Sequence, residues 1–190
     1  MGRLDIGLFK ERVEFGSEHL PPARGFKWRF ARKEEVDNEE PSTSGFMVLA
    51  GHFTDAGLSL PLDPLILEFM HRTGIPFLRI GLNIIRIITA TSAINKRFDV
   101  RVGLREIFFC EKVVVPDSEI SHFIPYPKAP EMIKFLPGSQ KNIARRMIVV
   151  EAGPIIPEDY SDFEFPRPGQ GRALIRALLL CSFMYASDLC

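Results

Sequence analysis

The sequence has little cysteine, tryptophan and tyrosine. Its 190 residues include three cysteines, Cys110, Cys181 and Cys190, with no C-x-x-C pair among them. An odd number of widely spaced cysteines argues against a disulfide framework and against a zinc site, and it favours a reducing intracellular compartment. One tryptophan and three tyrosines stand beside sixteen phenylalanines, a balance that favours dry packing over polar aromatic recognition surfaces.

An excess of one charge and a membrane-length apolar run are also missing. Lysine plus arginine number 24, and aspartate plus glutamate also number 24, so nucleic-acid binding would need a local basic patch. The most apolar run, residues 173–186, contains Arg176 and is too short to span a bilayer. The first residues carry acidic side chains, unlike a signal peptide. We therefore expect a soluble intracellular protein with no membrane partner, in the nucleus or the cytoplasm.

The sequence contains none of the common catalytic motifs. A G-x-x-x-x-G-K phosphate loop, an H-E-x-x-H zinc motif and a G-x-S-x-G nucleophile elbow are all absent. Gly169-Gln170-Gly171 precedes a predicted helix, but Leu174 stands where a dinucleotide loop has its third glycine. His52 lies alone in an apolar run, which favours a structural role. We predict a non-enzymatic protein without a cofactor, a metal or a small-molecule ligand.

Residues 57–110 carry the longest helical patterning and form the predicted core. Asp63 and Pro64 are typical of a helix start, and Gly74 of its end. A second, apolar helix is predicted over residues 83–97 with Asn83 as its cap, although its β-branched residues leave a buried strand as an alternative. A third is predicted over residues 102–109, with Leu104, Ile107 and Phe108 facing inward. An apolar run over residues 46–53 predicts a shorter helix before them.

The remainder of the chain is patterned as strands and one further helix. Residues 113–115, 122–127 and 147–150 read as extended segments, and residues 172–187 as an apolar helix. The fold prediction is α+β and mainly helical: a small helical bundle at about 46–110, a short antiparallel β unit at about 113–150 and a C-terminal helix. We divide the chain into an irregular charged arm (1–45), the main domain (46–153) and a C-terminal segment (154–190).

Two basic clusters are candidates for nucleic-acid contact. In the first, aromatic and basic residues alternate over residues 26–30, a period-2 pattern that also predicts a short strand. Basic side chains could contact phosphates while aromatic ones stack on bases. The alternative is a solvated segment neutralised by the acidic run at 34–40. The candidate residues are Lys27, Trp28, Arg29, Arg32 and Lys33 in the first cluster, and Lys141, Arg145 and Arg146 in the second.

Four segments occur in an order that is found in one known family. Residues 53–64, FTDAGLSLPLDP, resemble the pattern F-x-x-G-L-x-L-P-L-x-P with one additional residue between Phe53 and Gly57, and a capped helix and the Leu82-Asn83 helix opening follow. Residues 104–109, LREIFF, are similar to L-F-R-x-F-F, and residues 139–150, SQKNIARRMIVV, to S-x-K-x-W-K-x-R-F-F-F-V. Over residues 46–150 the chain thus resembles the plant gypsy-type transposon (transposase-like) domain family.

The chain departs from the family pattern at several positions. Asp63 stands where the family usually has histidine, Ile143 where it has an aromatic residue, and Met147 and Ile148 where further aromatics are usual. Family members commonly continue into polar and coiled-coil sequence, whereas this chain stops after an apolar segment. The resemblance therefore implies a degenerate or truncated copy, with no catalytic residues to carry over.

Three functional hypotheses follow from the resemblance and the residues. The first is a non-enzymatic, retrotransposon-derived (gag-like) domain that acts by protein association, with self-association through an apolar face such as residues 172–187. The second is a transposon-associated protein that binds DNA or RNA through the two basic clusters. The third, an active transposase or integrase, would need acidic side chains that converge on a metal ion.

Overall fold

A computed structural model describes residues 26–39, 41–42, 45–116, 120–127, 129, 147–152 and 154–166. Within them four consecutive α-helices are flanked by strands on both sides in the chain. The strands are β1 (Lys27–Phe30), β2 (Phe46–Leu49), β3 (Glu111–Val114), β4 (His122–Pro125) and β5 (Met147–Ala152). The helices are α1 (Lys33–Asn38), α2 (Ala50–Thr54), α3 (Pro64–Thr73), α4 (Leu82–Phe98) and α5 (Leu104–Cys110), with 3-10 turns at Phe77–Arg79 and Glu158–Tyr160.

Helix α3 begins and ends where its sequence predicts. The carboxylate of Asp63 accepts a hydrogen bond from the backbone N–H of Leu65 at 2.9 Å, and Pro64 occupies the first helical position. At the other end Gly74 adopts a φ of 64°, and its N–H donates to the carbonyl of Met70 at 2.8 Å. The left-handed conformation suits glycine because it has no Cβ. These contacts confirm the predicted cap, first residue and stop.

Helix α4 is confirmed as a helix, but its predicted cap is wrong. The N-cap is Gly81, and Asn83 lies inside the helix. The side-chain amide of Asn83 instead donates to the carbonyl of Phe123 at 3.0 Å and accepts its N–H at 3.4 Å. The residue thus joins α4 to strand β4. An asparagine near a helix start is a common capping signal, but the side chain of Asn83 bonds the backbone of Phe123 in place of the helix start.

The apolar run at residues 46–53 forms a strand and a short helix, where a single helix was predicted. Phe46–Leu49 pairs antiparallel with β5, and α2 follows directly. All four residues of β2 are buried. A strand buried on both faces shows no polar alternation, so its sequence resembles a buried helix.

The larger sheet has the strand order β1-β5-β2 and is antiparallel throughout. One face packs into the main core, through Phe46, Val48, Ile148 and Val150. The opposite face forms a smaller core, made of Met47, Leu49, Leu78, Met147 and Val149 with Ala31, Val36 and Ile120 packed against it. Strand β1 therefore joins residues of the predicted arm to the domain, and the predicted short strand at 26–30 is confirmed as Lys27–Phe30.

Strands β3 and β4 form a separate two-stranded antiparallel sheet, with Val113 opposite Phe123. The sequence predicted a two- or three-stranded antiparallel unit over about 113–150. The antiparallel pair β3–β4 agrees with the two-stranded form, whereas β5 lies in the larger sheet between β1 and β2. Pairing partners from distant segments leave no local signal in the sequence.

Helices α3, α4 and α5 share the main core with both sheets. The hydroxyl of Ser92 on α4 donates to the Asp63 carboxylate at 2.8 Å, which places the second half of α4 beside the start of α3. Phe108 on α5 packs on Phe69 of α3, with 6.0 Å between ring centroids. The fold is α+β; a mainly helical protein built on a bundle is not confirmed. The predicted helix at 172–187 lies outside the described residues, and none of the described helices has the length and apolar character to cross a membrane.

Candidate functional site

The aromatic side chains of β1 face the main core. Trp28 and Phe30 are half-buried, stand edge to face with 5.8 Å between their centroids, and pack against the core. The intervening Arg29 lies on the other face of the strand, because side chains alternate along it. The aromatic rings that were predicted to stack on nucleic-acid bases are therefore partly buried against the protein's own core.

Arg29 is held between two carboxylates. Its guanidinium donates to both oxygens of Glu35, at 2.7 and 2.6 Å, and through Nε to Glu151 at 2.6 Å. Glu35 is only 2% exposed, and it also accepts hydrogen bonds from the N–H of Arg32 and from the N–H and hydroxyl of Ser42. A bidentate arginine–carboxylate pair has fixed geometry. This network ties α1 to the second face of the larger sheet.

The same contacts keep both groups of the pair charged. Hydrogen bonds from the Arg29 guanidinium, and then from Arg32 and Ser42, hold the pKa of Glu35 well below its ordinary value. Hydrogen bonds to Glu35 and Glu151 raise the pKa of Arg29. Arg29 could reach a phosphate only by giving up these partners.

The other members of the two basic clusters are exposed or lie outside the described residues. Lys27, Arg32 and Lys33 are exposed. The second cluster, Lys141, Arg145 and Arg146, falls in a stretch that the structure does not describe. The nucleic-acid-binding set inferred from the sequence therefore stays a prediction, with Arg29 and Trp28 engaged in intramolecular contacts.

His52 is a residue of α2, and its side chain is completely buried. Its Nε2 donates to the carbonyl of Ile80 at 2.9 Å, and its ring stands edge to face with Phe77 at 5.1 Å. Nδ1 has no hydrogen-bond partner in the structure. Burial lowers the pKa of His52 to about 4, with the Ile80 hydrogen bond acting weakly in the opposite direction. Its contacts are those of a structural histidine that links α2 to the segment after the Phe77–Arg79 turn.

The described residues offer no metal centre. No three His, Cys, Asp or Glu side chains in that part of the chain gather where they could hold an ion. Cys110 is buried at the end of α5, and burial raises the pKa of its thiol. A high pKa disfavours the reactive thiolate.

Large apolar side chains are exposed at both ends of α5. At its C-terminal end, Phe109 is 68% exposed and Ile124 on the neighbouring β4 is 44% exposed. Before its N-terminal end, the last turn of α4 and the connection that follows expose Ile94, Phe98 and Val100, at 44%, 63% and 42%. We call the first pair the Phe109 surface, and residues 94–105 the α4–α5 loop.

The α4–α5 loop is closed by one side chain. Asn95 donates to the carbonyl of Val102 at 2.8 Å and accepts its N–H at 2.9 Å. Asp99 ends α4 with a φ of 50°. At the start of α5, the Glu106 carboxylate accepts the N–H of Gly103 at 2.8 Å, a contact that lowers the pKa of Glu106. The intervening residues therefore form a compact turn at the protein surface.

Four exposed cations surround this turn. Arg97, Arg101 and Arg105 make no ion pair with any residue in the described part of the chain, and Lys96 lies 3.7 Å from Asp63 with its side chain 80% exposed. The Arg97 guanidinium stands 5.6 Å from the centroid of the Phe98 ring. Lys96 and Arg97 lie in the last turn of α4, where cations also interact favourably with the helix dipole.

The basic cluster at residues 96–105 was not among the predicted sites, although the sequence contains a signal for it. Basic residues and a phenylalanine are concentrated in the stretch KRFDVRVGLR at residues 96–105. What the sequence does not show is the Asn95–Val102 closure, which gathers these side chains into one turn. No protein-family model, curated protein or solved structure matches this chain.

Proposed function

We propose that this chain is a non-enzymatic, retrotransposon-derived domain that acts by protein association, and that it pairs with a second copy through the Phe109 surface. The exposure of Phe109, the most exposed large apolar side chain among the described residues, carries the proposal. The order of the four segments that resemble the gypsy-type domain supports its origin.

The core already takes the other apolar side chains of α5. Leu104 and Ile107 are 1% and 0% exposed, and Phe108 packs on Phe69 and Phe123. Phe109 follows Phe108 directly, so it points away from that packing. The exposure of Phe109 is therefore a property of the folded helix and no consequence of local unfolding.

Ile124 extends the same surface onto β4. Phe123 is buried, and Ile124 faces the opposite side of the strand because side chains alternate. Its register partner on β3 is the exposed Lys112. The N–H of Tyr126 donates to the carbonyl of Cys110 at 2.9 Å, which places this end of β4 beside the end of α5.

A two-fold pair of copies would bury this surface twice. Full burial of one phenylalanine or isoleucine side chain is worth about 1.5–3 kcal/mol, and a two-fold interface uses the same patch on both partners. Association costs several kcal/mol in lost freedom, so a few buried apolar anchors give a weak, concentration-dependent dimer.

Light scattering of the purified chain across a range of concentrations tests the proposal. We expect the apparent mass to rise toward that of a dimer, and the substitution Phe109→Asp to abolish the rise. Phe98→Asp is the matched control, because Phe98 is exposed to 63% at the other end of α5. A constant monomer mass, or equal loss of association in both variants, would contradict the proposal.

A further inference from the structure

We infer that the α4–α5 loop is a binding site for single-stranded nucleic acid, with Arg97 and Arg101 on the phosphates and Phe98 stacked on a base. This site is distinct from the basic clusters that the sequence suggested. It also goes beyond protein association, because it lies at the opposite end of α5 from the Phe109 surface.

The closure by Asn95 makes the loop a defined site. Because both hydrogen-bonding groups of the Asn95 amide are bonded to Val102, the six residues between them project from a fixed base. A pre-ordered loop loses little conformational freedom when it binds. Flexible basic tails lack this property, so the geometry favours a site over a generally charged segment.

The cations of the loop are free to meet an external anion. Arg97, Arg101 and Arg105 are exposed and form no ion pair within the described residues. Three arginines elsewhere are paired: Arg29 with Glu35 and Glu151, Arg72 with Glu68, and Arg79 with Glu39. The chain as a whole has no net charge, so the excess of positive charge is local to this loop. Such a local excess attracts an anionic partner to the loop.

The carboxylates near the loop reduce its positive charge only in part. Glu106 is turned back onto the N–H of Gly103, and Asp99 is the other acidic residue between Lys96 and Glu106. Four cations of residues 96–106 therefore stand near three carboxylates, because Asp63 lies 3.7 Å from Lys96 in addition to Asp99 and Glu106. Guanidinium groups suit phosphate because they offer several donors in one plane.

Phe98 supplies the aromatic surface that distinguishes a nucleic acid from other polyanions. Its ring is 63% exposed at the end of α4, and the Arg97 guanidinium lies near it. Stacking of an unpaired base on such a ring tolerates any base, and neighbouring arginine adds to it. A base in an intact duplex is already stacked, so the site favours single strands.

An anionic membrane fits this loop less well. Asp99 lies between Phe98 and Val100 and is exposed with them. Insertion of the two apolar side chains into a bilayer would carry the carboxylate toward the hydrocarbon, at a considerable cost. A strand laid along the surface contacts the ring and the guanidinium groups and leaves Asp99 in water.

Fluorescence anisotropy with the full chain tests the inference. The probe is a labelled, unstructured uridine oligonucleotide of about 12 nucleotides, with the thymidine oligonucleotide of equal length as a second arm. We expect both to bind at low salt and with affinity that falls as salt rises. For the double variant Arg97→Gln, Arg101→Gln, the slope of log affinity against log salt should decrease by about 1.4.

Phe98→Ala tests the stacking contribution separately. We expect binding roughly tenfold weaker with little change in the salt slope, and recovery in Phe98→Trp. The control for net charge is the double variant Arg72→Gln, Lys112→Gln, which removes two exposed cations from α3 and β3, Arg72 being paired with Glu68, and should bind like the wild type. The four cations replaced in the loop variant and in the control variant are all exposed. Thermal unfolding of each variant verifies that it is folded.

Four results would overturn the inference. They are no binding at low salt, equal losses in the loop and control variants, equal affinity for a duplex of the same sequence, and loss confined to a Lys27→Gln, Lys33→Gln variant. Sedimentation with phosphatidylserine-containing vesicles that requires the loop, without oligonucleotide binding, would assign the loop to membranes instead. Phe109→Asp should leave oligonucleotide binding intact, so failure of the dimer and failure of this site are distinguishable.

Discussion

Two buried ionisable residues, His52 and Glu35, are accommodated in opposite ways. Glu35 accepts five hydrogen bonds and keeps its charge, because Arg29 and two backbone N–H groups replace the water it loses. His52 has one hydrogen bond and an unpaired Nδ1, so it stays neutral. No sequence signal indicated the His52 partner, since Ile80 is 28 positions away, whereas Glu35 lies only six positions from Arg29, in the acidic run at 34–40.

His52 should make the folded state sensitive to mild acid. Its pKa falls from 6.5 to about 4 on folding. Between these two pH values His52 is therefore protonated in the unfolded chain and neutral in the folded chain. The free energy of unfolding is therefore not reduced by His52 above pH 6.5, and it decreases by about 3 kcal/mol as the pH falls toward 4. Urea unfolding measured between pH 7.5 and 4.5 should show this decline.

The substitution His52→Gln separates the effect of His52 protonation from other effects of acid on stability. His52→Gln keeps a donor for the Ile80 carbonyl but does not titrate, so the decline between pH 6.5 and 5 should flatten. The same replacement at exposed His71 is the control. A wild-type decline that persists in His52→Gln, or flattens equally in both variants, would show that His52 is not its source.

At the scale of elements, contacts between distant segments decide how the helices meet the sheets. Asp63 serves two elements at once, because it caps α3 and accepts the Ser92 hydroxyl from α4. Asn83 does the same for α4 and β4 by bonding both backbone groups of Phe123. Asn83 thereby provides hydrogen-bond partners for the backbone of Phe123 on β4.

Replacing Asn83 tests whether it works as this tether. Asn83→Ala removes two hydrogen bonds and should lower the free energy of unfolding by about 1–2 kcal/mol. Asn83→Asp should cost more, since a carboxylate would then face the carbonyl of Phe123. Hydrogen exchange at the Phe123 amide should accelerate in both. Exposed Asn38 is the control position, and an equal effect of alanine there would refute the tether.

At the scale of the whole molecule, the larger sheet is covered on both faces. Its first face belongs to the main core, and its second is covered in part by Ala31 and Val36. Strand β1 completes the sheet, and the N–H of Ala31 donates to the carbonyl of Met147 at 3.0 Å. A division of the chain before Phe46 would thus separate an edge strand from its sheet.

A chain shortened to begin at Gly45 should therefore be markedly less stable than one that begins at Phe26. It loses one of the two partners of β5 and uncovers Met147 and Val149 in part, so we expect a loss of several kcal/mol and a tendency to aggregate. Thermal unfolding and light scattering of the two shortened chains measure this. Equal midpoints and equal solubility would mean that residues 26–44 are dispensable to the fold.

The sequence by itself determined the features that depend on neighbouring residues. The start and end of α3, the helical state of α4, the inward face of α5 and the strand character of residues 27–30, 113–114 and 147–150 all arise from local backbone preferences and periodicity. These signals act over a few residues, so they can be recognised without knowledge of the fold.

Only the tertiary structure decided which segments meet. It placed β5 between β1 and β2, bound Arg29 to Glu35 and Glu151, and closed the α4–α5 loop through Asn95. For Arg29 the sequence offered Glu35 in the neighbouring acidic run as a partner, but it could not show the bidentate geometry or the distant Glu151. The closure of residues 96–105 by Asn95 has no sequence signature. Such pairings depend on the packing of the whole core, which no local pattern records.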